Sequence, residues 1–185
     1  MTVNARWRFF VPVLAGVAVL VWANMPGYCE ETEKDPEPEK EKPKELVWHN
    51  FADGIKLADK TKKYVLIDCY TTWCEPCKMM DKYTYTDKEL KEILLKHFVL
   101  IKVNIEDRKK MRIGEDEVSG LDIARALRIA GVPNTVFVQP DGKVIISIPG
   151  MRRPRYMKKV ALDYILTGKY KTTSFRTFAR EAHLD

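Results

Sequence analysis

From Leu46 onward the apolar positions follow two different periods. Tyr64-Val-Leu-Ile-Asp-Cys-Tyr70 and Phe98-Val-Leu-Ile-Lys-Val-Asn104 are near-continuous apolar runs. Runs of that length and composition predict strands covered on both faces. Around them the period changes to helical. Phe51, Ile55 and Ala58 predict a helix over 50–62, and a second helical segment runs from about Asp87 to Lys96. Ser119 with Asp122 has the spacing of a capping box and opens a helix predicted to end at Gly131. Asn134–Gln139 predicts a strand, Pro140-Asp141-Gly142-Lys143 a turn, and Val144–Ile148 a strand that pairs back antiparallel. A closing helix over 154–167 places Met157, Val160, Ala161, Tyr164 and Ile165 on one face. Residues 106–117 are charged and predict a loop. The last residues are polar, with Phe175 and Phe178 one turn apart. Strand, helix, strand, helix, hairpin and closing helix make an α/β domain, a mixed central sheet with helices on both faces.

The N-terminal 45 residues have a different character. Arg6 and Arg8 precede an uncharged apolar run from Phe9 to Ala23. As a helix that run is about 22 Å long, short of a hydrocarbon core of roughly 30 Å. Residues 1–28 therefore read as a signal peptide, with Val21-Trp22-Ala23 offering small residues for cleavage, or as an uncleaved N-terminal membrane anchor. A lipoprotein processed at Cys29 is disfavoured, because Tyr28 stands where a small residue is expected. All three readings export the remainder. Residues 29–45 form a charged, proline-containing linker: twelve of the sixteen residues from Glu30 to Glu45 are charged and three are proline. Such a composition cannot bury a core. The folded domain with its C-terminal extension occupies 46–185.

Charge adds little to this picture. The net charge is +6, with basic residues mostly interleaved with acids, so nucleic acid is not an expected partner. Arg152-Arg153-Pro154-Arg155 is only a weak lipid-contact signal.

The chemistry lies in Trp73-Cys74-Glu75-Pro76-Cys77-Lys78. A buried strand running into Cys-x-x-Cys at a helix start predicts redox chemistry. The helix end favours a thiolate on Cys74, and Cys77, one turn on, is close enough to close a disulfide. Cys74 is expected to be the nucleophile and the more exposed of the two, with Cys77 the resolving thiol. A structural zinc site needs two more ligands. His97, Cys69 and Cys29 stand in no ligand pattern, so no metal is expected. Cys69 reads as a buried, inert thiol, and His49, His97 and His183 as surface residues.

With Asp68 six residues before Cys74, Lys102 in Ile-Lys-Val-Asn-Ile, and Gly131-Val132-Pro133-Asn134-Thr135 in order, the chain resembles the thioredoxin family over roughly Leu46–Gly168. Lys78–Asp87 is similar to the periplasmic C-terminal domains of transmembrane thiol:disulfide interchange proteins. The Glu-Pro dipeptide between the cysteines also occurs in thioredoxin-like proteins that reduce apocytochrome c. The resemblance implies a thioredoxin-like fold and a buried acid at Asp68 that takes the Cys77 proton. It also implies that Lys102 sits beside that acid, and that a cis bond before Pro133 leaves the Val132 backbone free to pair with substrate. Trp73 is expected to act as a lid, and Glu75 and Pro76 to tune the redox couple.

The expected function is an exported thiol:disulfide oxidoreductase, mainly a reductase of protein disulfides. It would be located in a bacterial periplasm or on the outer face of the cytoplasmic membrane. The expectation includes a monomer, no cofactor beyond the cysteine pair, and recharging by a membrane thiol-electron donor. A disulfide oxidase or isomerase, or a non-enzymatic thiol chaperone handling copper or apocytochrome, is the alternative.

Overall fold

The computed structural model describes residues 45–184. The signal peptide or anchor at 1–28, Cys29 and the linker up to residue 44 lie outside the described residues. Among the described residues no helix is long and apolar enough to cross a membrane.

The chain opens with a two-residue strand β1 (Trp48–His49) and helix α1 (Phe51–Thr61). The side chain of Asn50 caps α1 by accepting the Asp53 N–H at 2.9 Å. Strand β2 (Tyr64–Tyr70) leads into α2 (Glu75–Met79), which continues as a π-helical turn over Met80–Thr84. Helix α3 (Lys88–His97) and strand β3 (Phe98–Asn104) follow. Two short strands, β4 (Met111–Ile113) and β5 (Asp116–Val118), precede α4 (Gly120–Ala126). Strands β6 (Asn134–Val138) and β7 (Val144–Pro149) form the hairpin. Helix α5 (Pro154–Lys159) runs on as a π-helical segment over Val160–Leu166, and α6 (Phe175–Glu181) ends the domain.

The five-stranded sheet has the order β1-β3-β2-β6-β7. Strands β1, β3 and β2 are parallel, and β6 runs antiparallel to both of its neighbours, β2 and β7. Because successive strand side chains point to opposite faces, each central strand feeds two cores. Leu66, Leu100, Phe137 and Ile148 pack with α3 and the α5 segment. Val65, Ile67, Val99, Ile101, Val136 and Val138 pack toward α1 and α4. The predicted two-sided mixed sheet is therefore present. Helix α1 comes so close to β3 that a Cβ on Gly54 would fall 2.4 Å from the Ile101 side chain. Only glycine fits there without a shift.

Four sequence expectations are corrected. The region 106–117 is not all loop, because β4 and β5 pair antiparallel, with Arg112 opposite Glu117 and a turn eased by Gly114 at φ 63°. Three-residue strands are too short to impose a periodic signal on so charged a stretch. The predicted capping box of Ser119 and Asp122 is present, but α4 stops at Ala126 rather than Gly131. Arg128 enters the left-handed region at φ 55°, and the Ile129 N–H returns to the Ala124 carbonyl at 2.9 Å. That closure ends the helix without a glycine. Strand β1 was not foreseen, being only two residues long. The tail is not merely polar: Phe178 is buried against Tyr164, with ring centroids 4.8 Å apart, and α6 completes one core.

This packing predicts that Phe178→Ala destabilises the domain by about 3 kcal/mol in urea unfolding. Leu162→Ala, at a position 36% exposed on the preceding π segment, should cost well under about 1 kcal/mol. Equal losses would show that α6 is not part of the core.

Candidate active site

Cys74 and Cys77 are joined in a disulfide with Cα atoms 5.3 Å apart. Cys74 is the N-cap of α2, and its Sγ accepts the Cys77 backbone N–H at 3.2 Å. Pro76 occupies the first turn, where its missing N–H costs nothing. One expectation fails in this oxidised state. Cys74 is not the more exposed cysteine, because both are buried, at 2% for Cys74 and 4% for Cys77. Surrounding segments cover both residues, so local sequence position does not rank their exposure.

Behind the disulfide helix, β2 carries Asp68 into the sheet interior. Its side chain is 3% exposed. In register it stands between Lys102 of β3 and Thr135 of β6. The Tyr85 hydroxyl, at the end of the π turn, donates to Asp68 Oδ1 at 3.3 Å. Loss of hydration dominates, pushing the Asp68 carboxyl up to about 7 against an ordinary value of 3.8. The Lys102 ammonium opposes this rise, and the Asp81 carboxylate reinforces it. The same burial, aided by Asp68, pushes the Cys69 thiol up to about 12, consistent with the inert thiol expected there.

Lys102 does sit near the acid, as expected, but its main partner was not foreseen. Its ammonium is 3.8 Å from Asp68 and only 2.5 and 2.6 Å from the two Asp81 oxygens. Trp48 and Tyr70 place their rings 5.1 and 5.5 Å from the same ammonium. Asp81 lies two helical turns beyond Cys74. The π turn carries it to the sheet edge, a path that residue spacing cannot reveal. Tyr85 was missed for the same reason.

The remaining predicted residues surround the disulfide. Trp73 is 65% exposed, and its indole N–H donates to Glu106 at 3.0 Å, which ties it to the segment after β3. Glu75 pairs with Lys78 at 2.5 Å on the exposed helix surface, so a cation offsets the charge expected to act on Cys74. The Val132–Pro133 bond is cis. Asn134 lies opposite Cys69, so the Val132–Pro133 loop adjoins the turn in which Cys74 N–H meets the Thr71 carbonyl at 3.2 Å. Thr84, on the π turn, donates to the Arg152 carbonyl at 2.7 Å and joins the loop after β7 to the same edge.

The Thioredoxin-like domain family model matches residues 51–165. The chain is similar to the thiol:disulfide interchange protein DsbD of Pectobacterium atrosepticum, 29% identical over 114 residues that make up 58% of this chain and 18% of that one. Its match to DsbD of Vibrio vulnificus is 28% identical over 91 residues, 49% of this chain and 14% of the relative. The chain thus spans less than a fifth of the length of these curated relatives. A thioredoxin-fold protein from Helicobacter pylori superposes with a TM-score of 0.56 at 25% identity, over 66% of this chain and 80% of that one. A thioredoxin from Thermus thermophilus shares the fold, with a TM-score of 0.58 at 20% identity, over 70% and 95% of the two chains.

The state of Asp68 makes stability depend on pH. Its carboxyl binds a proton more tightly folded than unfolded. Its contribution is therefore fully present below about pH 4, is lost as pH rises toward 7, and is flat above. Asp68→Asn should be more stable than the parent by on the order of 3 kcal/mol at pH 8. That gain should shrink to near nothing at pH 4. A gain that stays constant across urea titrations from pH 4 to 8 would contradict a buried, proton-retaining Asp68.

Proposed function

The chain belongs to the thioredoxin-like family and is a thiol:disulfide oxidoreductase, and from that premise we propose that it is exported and works mainly as a reductase of protein disulfides. The observation that carries the reading is the Cys77 backbone N–H aimed at Cys74 Sγ at 3.2 Å, at a helix start backed by the buried Asp68. Backbone donors and the helix end favour a thiolate on Cys74 once the pair is reduced.

The Cys74 thiolate attacks a substrate disulfide. One substrate sulfur leaves as a thiol, and a mixed disulfide joins Cys74 to the other. Cys77 then gives up its proton to Asp68, through water, and attacks Cys74 Sγ. The Cys74–Cys77 bond forms, and the second substrate sulfur leaves as a thiol. An acid pushed up to about 7 suits this step, because it can accept and return a proton near neutral pH. Lys102, held by Asp81, limits how far that acid rises. The Val132 backbone offers an extended substrate segment a place to pair, as in strand addition. Trp73, fixed by Glu106, covers the approach to the sulfurs. The electrons reside in the cysteine pair alone. A membrane thiol-electron donor recharges it by donating two electrons to the Cys74–Cys77 disulfide.

Three features support a reducing direction. Asp68, when ionised, places negative charge behind the disulfide helix and disfavours the thiolate, while Asp81 adds less because Lys102 holds it at 2.5 and 2.6 Å. A less stabilised thiolate gives a less oxidising couple. Glu75 adds to this only weakly, because Lys78 holds it. Export is supported by Arg6 and Arg8 before the apolar run and by the charged linker after it.

Cys77→Ser should accumulate a mixed disulfide through Cys74, identified by peptide mapping of partners trapped in cells. Trapping mainly on Cys69 or Cys29 would remove Cys74 from the attacking role. In a glutathione redox titration the parent potential should lie below about −200 mV. A value near that of a strong oxidant, about −120 mV, would make the protein an oxidase. Glu75→His should raise the potential, but only by on the order of 10–20 mV given the Lys78 pairing.

A further inference from the structure

Beside the Val132–Pro133 loop the surface opens into a groove of about 480 Å³. Gly131–Pro133, Pro149–Gly150 and Arg128 are among the residues that line it. The groove is roomy. A Cβ added at Gly131 or Gly150 would meet nothing within 4 Å. Its polar groups are mostly satisfied internally: Gly150 N–H donates to the Pro133 carbonyl at 2.8 Å, and Ser147 Oγ donates to Asn134 Oδ1 at 2.7 Å. Arg128 is the only charged residue among those lining the groove. Its side chain is exposed and makes no ion pair among the described residues, whereas Arg125, one turn earlier, lies 3.8 Å from Asp122.

Arg128 also occupies a backbone position that suits glycine. At φ 55° an arginine is strained where a glycine is not. The left-handed turn projects a lone cation from the end of α4 over a groove that is otherwise neutral and open. Resting on the reductase reading above, we infer that Arg128 is a specificity-determining residue that selects substrate segments carrying an acidic side chain beside the cysteine to be reduced. An extended segment lying along Gly131–Val132 brings a flanking carboxylate within reach of the guanidinium, while a lysine in the same place meets like charge. The groove adjoins the Cys74 turn, so the selection acts at the moment of attack.

The test uses the full chain, reduced with dithiothreitol and then freed of it. The probes are extended peptides with one cysteine held as a mixed disulfide with nitrothiobenzoate. The residues flanking the cysteine are glutamate, glutamine or lysine. Cys74 breaks the probe's S–S bond and releases nitrothiobenzoate. Cys77 then displaces the peptide thiol and closes the protein disulfide, so two electrons pass from the protein dithiol to the probe. For the parent, kcat/KM should be about fivefold higher for the glutamate peptide than for the lysine peptide, and the ratio should fall with added salt.

Arg128→Glu should invert the ratio. Arg128→Gly, which suits the left-handed backbone and removes the charge, should bring it close to one with the fold intact. Arg176→Glu, on α6, changes net charge as much as Arg128→Glu does and should leave the parental preference in place. A parent that treats all three peptides alike overturns the inference while leaving the reductase reading standing. A ratio that Arg176→Glu alters as much as Arg128→Glu does so as well. Peptides that are not reduced at all would remove the reductase reading, and the inference with it.

Discussion

A carboxyl group on the middle strand of the sheet, almost wholly out of water, is the constraint to which the rest of this structure answers. Asp68 sits between β3 and β6 with a side chain 3% exposed. An ionised carboxylate there would be very costly without compensation. The fold compensates incompletely. Tyr85 donates one hydrogen bond at 3.3 Å, and Lys102 stays 3.8 Å away because Asp81 holds it more closely. The acid is left with a proton affinity near neutral, which suits the role of proton acceptor proposed for it behind Cys77. A closer contact with Lys102 would lower the proton affinity of the acid further and make it a weaker base.

The elements around Asp68 are arranged to maintain that balance. Alternation along β2 sends Val65, Ile67 and Cys69 to one core and Leu66 to the other, and Asp68 falls on the Leu66 face. That face is covered by the disulfide helix and its π turn, by α3, and by the α5 segment with α6. The π turn over Met80–Thr84 widens the helix by one residue. Met80 and Thr84 point inward, while Asp81 reaches the Lys102 ammonium. Buried apolar packing thus holds the charged groups at fixed distances, and the chemistry follows from those distances.

The exchange edge gathers segments remote in sequence. Trp73 is tied to Glu106, Thr84 to the Arg152 carbonyl, and Pro133 to Gly150. The first joins the segment after β3 to the turn that carries Cys74, the second the loop after β7 to the π turn, and the third two segments that line the groove. The surroundings of the disulfide are thereby built from the ends of β2, β3, β6 and β7. The disulfide itself is buried among them.

The sequence by itself determined the parts of this protein that depend on local periodicity and chemistry. The apolar runs of β2 and β3, the Ser119–Asp122 cap and the turn at Asp141–Gly142 are properties of a few adjacent residues, and each appears where the pattern put it. Cys-x-x-Cys after a strand likewise named the chemistry, because spacing alone brings two sulfurs within bonding reach. Tertiary structure decided what depends on contacts between distant segments. Lys102 takes Asp81 as its nearest partner, Tyr85 donates to Asp68, and Glu106 holds Trp73, at separations of 21, 17 and 33 residues. It also decided burial. The tail of charged residues hides Phe178, β4 and β5 pair within a stretch of charges, and Cys74 is as buried as Cys77 when oxidised. Hydrophobic periodicity reports which face of an element turns inward. It carries no information on which other element arrives there, and that arrival sets the charge, the hydration and the proton affinity of the site.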